Sequence, residues 1–191
     1  MNIGIYIYAG AEELDWAGPW EVLSAWALRW PDDGVAAFTI GDSREPVLCA
    51  KGLRILTDHD SQSAPPVDVL IVPGGDESGP VADEALHARL RALRERGALV
   101  TSVCTGAFVL HAAGLLEGRP ATTHHGAVER LRSLGVEVRE DERFVDAGEI
   151  VTAAGVSAGI DMALHLVARL HSPERAREVR RYIQYDPEPP V

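Results

Sequence analysis

The sequence predicts an α/β fold, a doubly wound and mostly parallel sheet with helices on both faces. Two observations predict it. Short apolar, β-branched runs alternate along the chain with stretches of helical periodicity. Some of those runs, "VDVLIV" (67–72) above all, are nearly continuous in apolar residues, the pattern of strands covered on both faces. A third observation places function: two of the runs end in small residues, "VPGG" and "TSVCTG", where a doubly wound sheet holds its ligands.

The elements follow in order. "NIGIYIY" (2–8) reads as the first strand. "GPWEVLSAWALRW" (18–30) has helical spacing, with Trp20, Leu23, Trp26, Ala27 and Trp30 near one face and Pro19 at its start. "VAAFTI" (35–40) is a strand, and "VLCAKGLRIL" (47–56) is a hairpin turning at Lys51-Gly52. "VDVLIVPGG" (67–75) is a buried strand, "EALHARLRALRER" (84–96) an amphipathic helix closed by Gly97, and "ALVTSV" (98–103) another buried strand. "TGAFVLHAAGLL" (105–116) is a buried helix, "ATTHH" (121–125) a strand, and "AVERLRSLG" (127–135) a helix ending at Gly135. "FVDAGEIVTA" (144–153) is a pair of strands around Ala147-Gly148. "GIDMALHLVARL" (159–170) and "SPERAREVRRYIQY" (172–185) close the chain as helices, the second with Ser172 as cap and Pro173 at its first position. The tail "DPEPPV" is extended and packs on the surface or on a partner.

The 191 residues are read as a single domain over 1–191, with 46% apolar residues to build its core. No run is long enough for a membrane helix, and the first residues read as a strand rather than a signal peptide. Two cysteines make no disulfide framework, and no Cys/His spacing suggests a metal. The expected setting is cytoplasmic and reducing. A net charge of −11 without a basic stripe argues against nucleic acid as a partner.

Cys104 stands where the strand 98–103 stops and the helix from 105 begins. The spacing Ser102-x-Cys104-x-Gly106 is that of a nucleophile elbow with cysteine as nucleophile. A helix N-terminus favours the thiolate, so a lowered thiol pKa is expected. The N–H of Thr105 would face a developing anion, and Gly74 and Gly75 would leave backbone N–H groups uncovered as an oxyanion site. Asp15, just past the first strand, is either a helix cap or a carboxyl reaching the same crevice as Cys104. Trp16, beside it, could line that pocket. Cys49 reads as a passive thiol, and "RLRALRER" as a solvated helix face.

Asp15 with Gly18-Pro19, "VPGG", "TSVCTGAFVLHAAGLL", "ATTHH" and "SAGIDMALHLVARL" together resemble the DJ-1/PfpI superfamily, which has the flavodoxin-like class I glutamine amidotransferase fold. Within it the isonitrile hydratase-like branch is most similar, with its aspartate, Cys-Thr elbow and "YDPEPP" tail. The resemblance implies Cys104 as nucleophile and Asp15 as general acid. It also implies Thr105, Gly75 and Gly74 at the substrate or oxyanion, and His124 near the cysteine. It implies hydration of an isonitrile to an N-substituted formamide, on a small-molecule substrate, without cofactor or metal, in a homodimer. The alternatives are a glyoxalase- or deglycase-like thiol enzyme and a non-enzymatic redox- or ligand-sensing domain. Thr105 in place of a histidine after the cysteine argues against peptidase activity. The absence of a histidine in "AGVSAGID" argues against glutaminase activity. His125 stands where relatives of this branch carry tryptophan.

Overall fold

The apolar runs pair as expected. In the computed structural model, which describes residues 1–188, strands β1 (Asn2–Tyr6), β2 (Ala36–Gly41), β5 (His59–Asp60), β6 (Val69–Val72), β7 (Leu99–Val103), β10 (Phe144–Asp146) and β11 (Ile150–Ala153) form one sheet. Its order is β10-β11-β7-β6-β1-β2-β5, and every pairing is parallel except β10 with β11. The two-residue strands β3 (Val47–Leu48) and β4 (Arg54–Ile55) make the antiparallel hairpin read at Lys51-Gly52. "ATTHH" contributes only Ala121 to a strand: β8 (Pro120–Ala121) pairs with β9 (Glu137–Val138), residues 122–124 are loop, and His125 opens a 3-10 turn (His125–Ala127).

The helices are α1 (Glu13–Arg29), α2 (Ser78–Ala82), α3 (Glu84–Glu95), α4 (Gly106–Ala112), α5 (Val128–Ser133), α6 (Ala158–Leu170) and α7 (Pro173–Tyr182). From β1 the chain steps outward to β2 and β5. It then returns to β6 and steps the other way to β7 and β11. Right-handed crossovers in opposite directions put α1 and α3 on opposite faces. Helices α1, α6 and α7 pack together on one face, and α2, α3 and α4 on the other. The direction reverses between β1 and β6, so the crevice at the carboxyl ends of these two strands is the place for a site.

Helix α1 begins at Glu13, five residues before the expected start at Gly18, which puts Pro19 in its interior. A proline there removes one helical hydrogen bond. Packing compensates: a side chain on Gly18 would meet Ile160, and one on Gly159 would meet the Pro19 ring, so α1 and α6 approach backbone to backbone. Helix α7 starts as expected, with Ser172 Oγ accepting from the Arg175 N–H at 3.1 Å. The tail folds back on its helix as far as it is described, with Arg180 donating to Asp186 at 2.8 Å. Its last residues, 189–191, lie outside the described residues. Among the described residues no helix is long and apolar enough to cross a membrane.

Candidate active site

Cys104 sits between β7 and α4 with φ at 58°, a left-handed conformation that is strained for any residue with a side chain. The strain is held from both sides. The Cys104 N–H donates to the carbonyls of Ala153 and Ala154 (3.1 and 2.9 Å), and Thr123 Oγ1 donates to the Cys104 carbonyl (2.8 Å). The turn must be tight because a side chain at Gly106 would lie 2.4 Å from the Val72 carbonyl oxygen. This is the nucleophile elbow that the Ser102-x-Cys104-x-Gly106 spacing suggests.

Asp15 is fully buried in the first turn of α1. It caps nothing: the cap position belongs to Glu12, which makes no side-chain cap bond. Asp15 Oδ2 instead accepts from the Gly74 N–H at 2.9 Å. Oδ1 has no hydrogen-bond partner; the other donors beside the carboxyl are the Cys104 thiol and the Val156 N–H. Burial pushes the Asp15 carboxyl up to about 6, against the lowering effect of these donors. Desolvation, rather than a neighbouring thiolate, is the cause of the rise.

The thiol departs from expectation in the other direction. Burial, and then the charge of Asp15, push Cys104 up to about 12, although the N–H groups of Thr105 and Val156 both favour its anion. The lowered pKa expected from a helix N-terminus does not survive this, because α4 is short and Cys104 is only 7% exposed. Near neutral pH the pair is therefore a thiol facing a carboxylate.

The loop after β6 closes the crevice. Gly75 has φ at 124°, and a side chain there would lie 2.2 Å from the Gly10 carbonyl. A side chain on Gly74 would lie 2.6 Å from Thr105 N and 2.8 Å from Asp15 Oδ2. The two glycines thus admit Asp15 and the elbow to one point. The Gly74 N–H is taken by Asp15, and the Gly75 N–H donates to Thr105 Oγ1 at 3.0 Å. The backbone donors facing the sulfur are Thr105 and Val156.

His124 is half-buried, its ring against Gly155 and 4.1 Å from the ring of His125. Its Nδ1 accepts from the Gly126 N–H at 3.1 Å, so the neutral ring carries its proton on Nε2. Burial first, then His125, hold its pKa below the usual histidine value. These rings, with Gly155, Val156 and the 140–143 loop, line a hollow of about 350 Å³ beside the elbow. Trp16 is buried with its indole N–H toward the Cys49 thiol. Among the described residues no group of histidine, cysteine and carboxylate side chains could hold a metal.

The sequence reading misses Val156 and Thr123. Val156 acts through its backbone in a left-handed conformation (φ 49°), which no residue type announces. Thr123 lies in view within "ATTHH", but a strand there would have hidden its bond to the elbow.

The DJ-1/PfpI family pattern matches residues 1–169. The chain belongs to the DJ-1/PfpI family. It is 36% identical over all 191 residues to the isonitrile hydratase of Pseudomonas putida, covering 81% of that protein. It is 28% identical over 149 residues to the glutathione-independent glyoxalase DJR-1.2 of Caenorhabditis elegans, across 76% of this chain and 79% of that one. A solved ThiJ/PfpI family protein of Pseudomonas syringae superposes with a TM-score of 0.88 at 30% identity, over all of this chain and 77% of its own.

Proposed function

We propose that this protein is a hydratase that adds water to a small isonitrile, with Cys104 as nucleophile and Asp15 as the proton carrier. The observation that carries this is geometric: a fully buried carboxyl, Asp15, faces the thiol of Cys104 at the strained elbow, and burial pushes both groups toward their protonated forms. An isonitrile needs both a nucleophile and a proton at the same terminal carbon. As the Cys104 sulfur bonds to that carbon, its proton passes to Asp15, and the carbon lone pair then takes it from Asp15. The product is a thioimidate, R–N=CH–S, with nothing expelled. Water adds to the C=N bond, the nitrogen is protonated, and the adduct collapses to the N-substituted formamide and the free thiol. The N–H groups of Thr105 and Val156 stabilise charge on sulfur as it develops and departs. The substituent R fits the hollow beside His124 and Val156.

The full-length similarity to an isonitrile hydratase supports this reading. The raised thiol pKa speaks against an oxidation sensor, since oxidation follows thiolate character. The test is purified protein with cyclohexyl isonitrile and, separately, methylglyoxal, wild type beside Cys104→Ala. Formamide production by the wild type alone is expected. Turnover of methylglyoxal without formamide would replace this reading with the glyoxalase one.

A further inference from the structure

We propose a second binding site, for a small amphipathic anion, in the cavity between α3 and the 61–67 segment. The cavity measures about 520 Å³, within the range of small-molecule sites. Its walls come from β1, β2, β6, α3 and the 61–67 segment, among them Ile40 of β2, Leu70 of β6 and Leu86, Leu90 and Leu93 of α3. It shares no lining residue with the Cys104 crevice or the hollow beside it.

Its charge is unusual for this chain. The protein carries 29 acidic residues, yet among the described residues none of them lines the cavity, while Arg89 and Arg96 both do. These arginines lie in the stretch that the sequence reading treats as a plain solvated face. Arg89 is balanced by Asp42 at 3.9 Å, a carboxylate that also accepts from the Tyr6 hydroxyl at 2.6 Å. Arg96 has no ion-pair partner among the described residues and is exposed. Arg96, the C-cap of α3, lies seven positions after Arg89, about 10 Å along the axis.

The occupant is therefore an apolar body with one carboxylate. Its charge meets Arg96, and its tail lies against Leu93 and Ala92 on one side and Ala64, Pro65 and Val67 on the other, over a floor closed by Leu86 and Leu90. A planar guanidinium suits a carboxylate, and the half-buried apolar side chains suit a hydrocarbon chain.

Isothermal titration with octanoate, octan-1-ol and octylammonium tests this. Saturable binding of octanoate at one site per chain is expected, with weaker binding of the alcohol and none of the ammonium. Arg96→Gln should weaken octanoate roughly tenfold, and Arg89→Gln less, because Asp42 already balances Arg89. Ala92→Trp, placed to fill the cavity, should abolish binding. Cys104→Ala should bind octanoate as the wild type does. Absence of saturable octanoate binding, equal affinity for the alcohol, or an unchanged affinity in Arg96→Gln would overturn the proposal. Loss of binding in Cys104→Ala would place the ligand in the active site and overturn it too. If Ala92→Trp fails to fold, the Arg96→Gln comparison decides.

Discussion

Replacing Asp15 by asparagine separates the carboxyl's chemistry from its place in the fold. The amide would keep the size of the side chain, and its carbonyl oxygen could still accept from the Gly74 N–H. It would not carry a proton between sulfur and carbon, so turnover should fall by roughly 10²–10⁴. Stability should respond in a distinctive way. Asp15 titrates at about 6 when folded, against an ordinary 3.8, because it is buried. The folded state thus favours the protonated form. This stabilisation is fully present below pH 3.8 and is lost as pH rises through 6. The rise is equivalent to about 3 kcal/mol of folding free energy. Urea unfolding of both proteins from about pH 4 to about pH 8 measures it. Whatever the constant cost of the substitution, the wild type should lose up to about 3 kcal/mol relative to the variant across that range. In the wild type, kcat/KM should fall below a pH of about 6 as Asp15 takes up its proton, and the variant's residual rate should lack that acid limb. A stability difference that is flat with pH, or a variant with full activity, would refute the assignment of Asp15.

Other outcomes follow from the same site. Alkylation of Cys104 by iodoacetamide should stay slow until well above a pH of about 9, and its midpoint should move down in Asp15→Asn, which removes a nearby negative charge. Gly74→Ala should destabilise by about 1–3 kcal/mol and sharply reduce turnover, since its side chain would overlap Thr105 N and Asp15; a fully active, equally stable variant would show that the loop is not held so tightly. Light scattering at micromolar concentration should give twice the 20.6 kDa chain mass, the homodimer expected for this family, and a monomer would contradict it.

The sheet was legible because its strands are buried on both faces, and apolar runs such as 67–72 and 98–103 leave few other readings. The strand His59–Asp60 was not legible: two polar residues become a strand only by pairing with Ile40 and Gly41. The start of α1 was misplaced because Pro19 reads as a first-turn residue, whereas its packing on Gly159 lets it sit inside the helix. The meeting of Cys104 and Asp15 in one crevice was legible from residue types; the paired glycines reach the same crevice, but their N–H groups are taken by Asp15 and Thr105 instead of standing uncovered as expected. The site was not legible where its chemistry belongs to backbone or burial. The Val156 amide is a matter of dihedral angles, and the thiol's raised pKa is a matter of how deeply the elbow is set.

The central claim is that the Cys104 sulfur bonds to the isonitrile carbon before water does. Rapid acid quench of wild type with excess cyclohexyl isonitrile, followed by intact and peptide mass spectrometry, tests it most directly. The account predicts a mass increase equal to the whole isonitrile, since addition expels nothing, located on the peptide that contains Cys104 and absent in Cys104→Ala. Formamide produced at the wild-type rate by Cys104→Ala would contradict it.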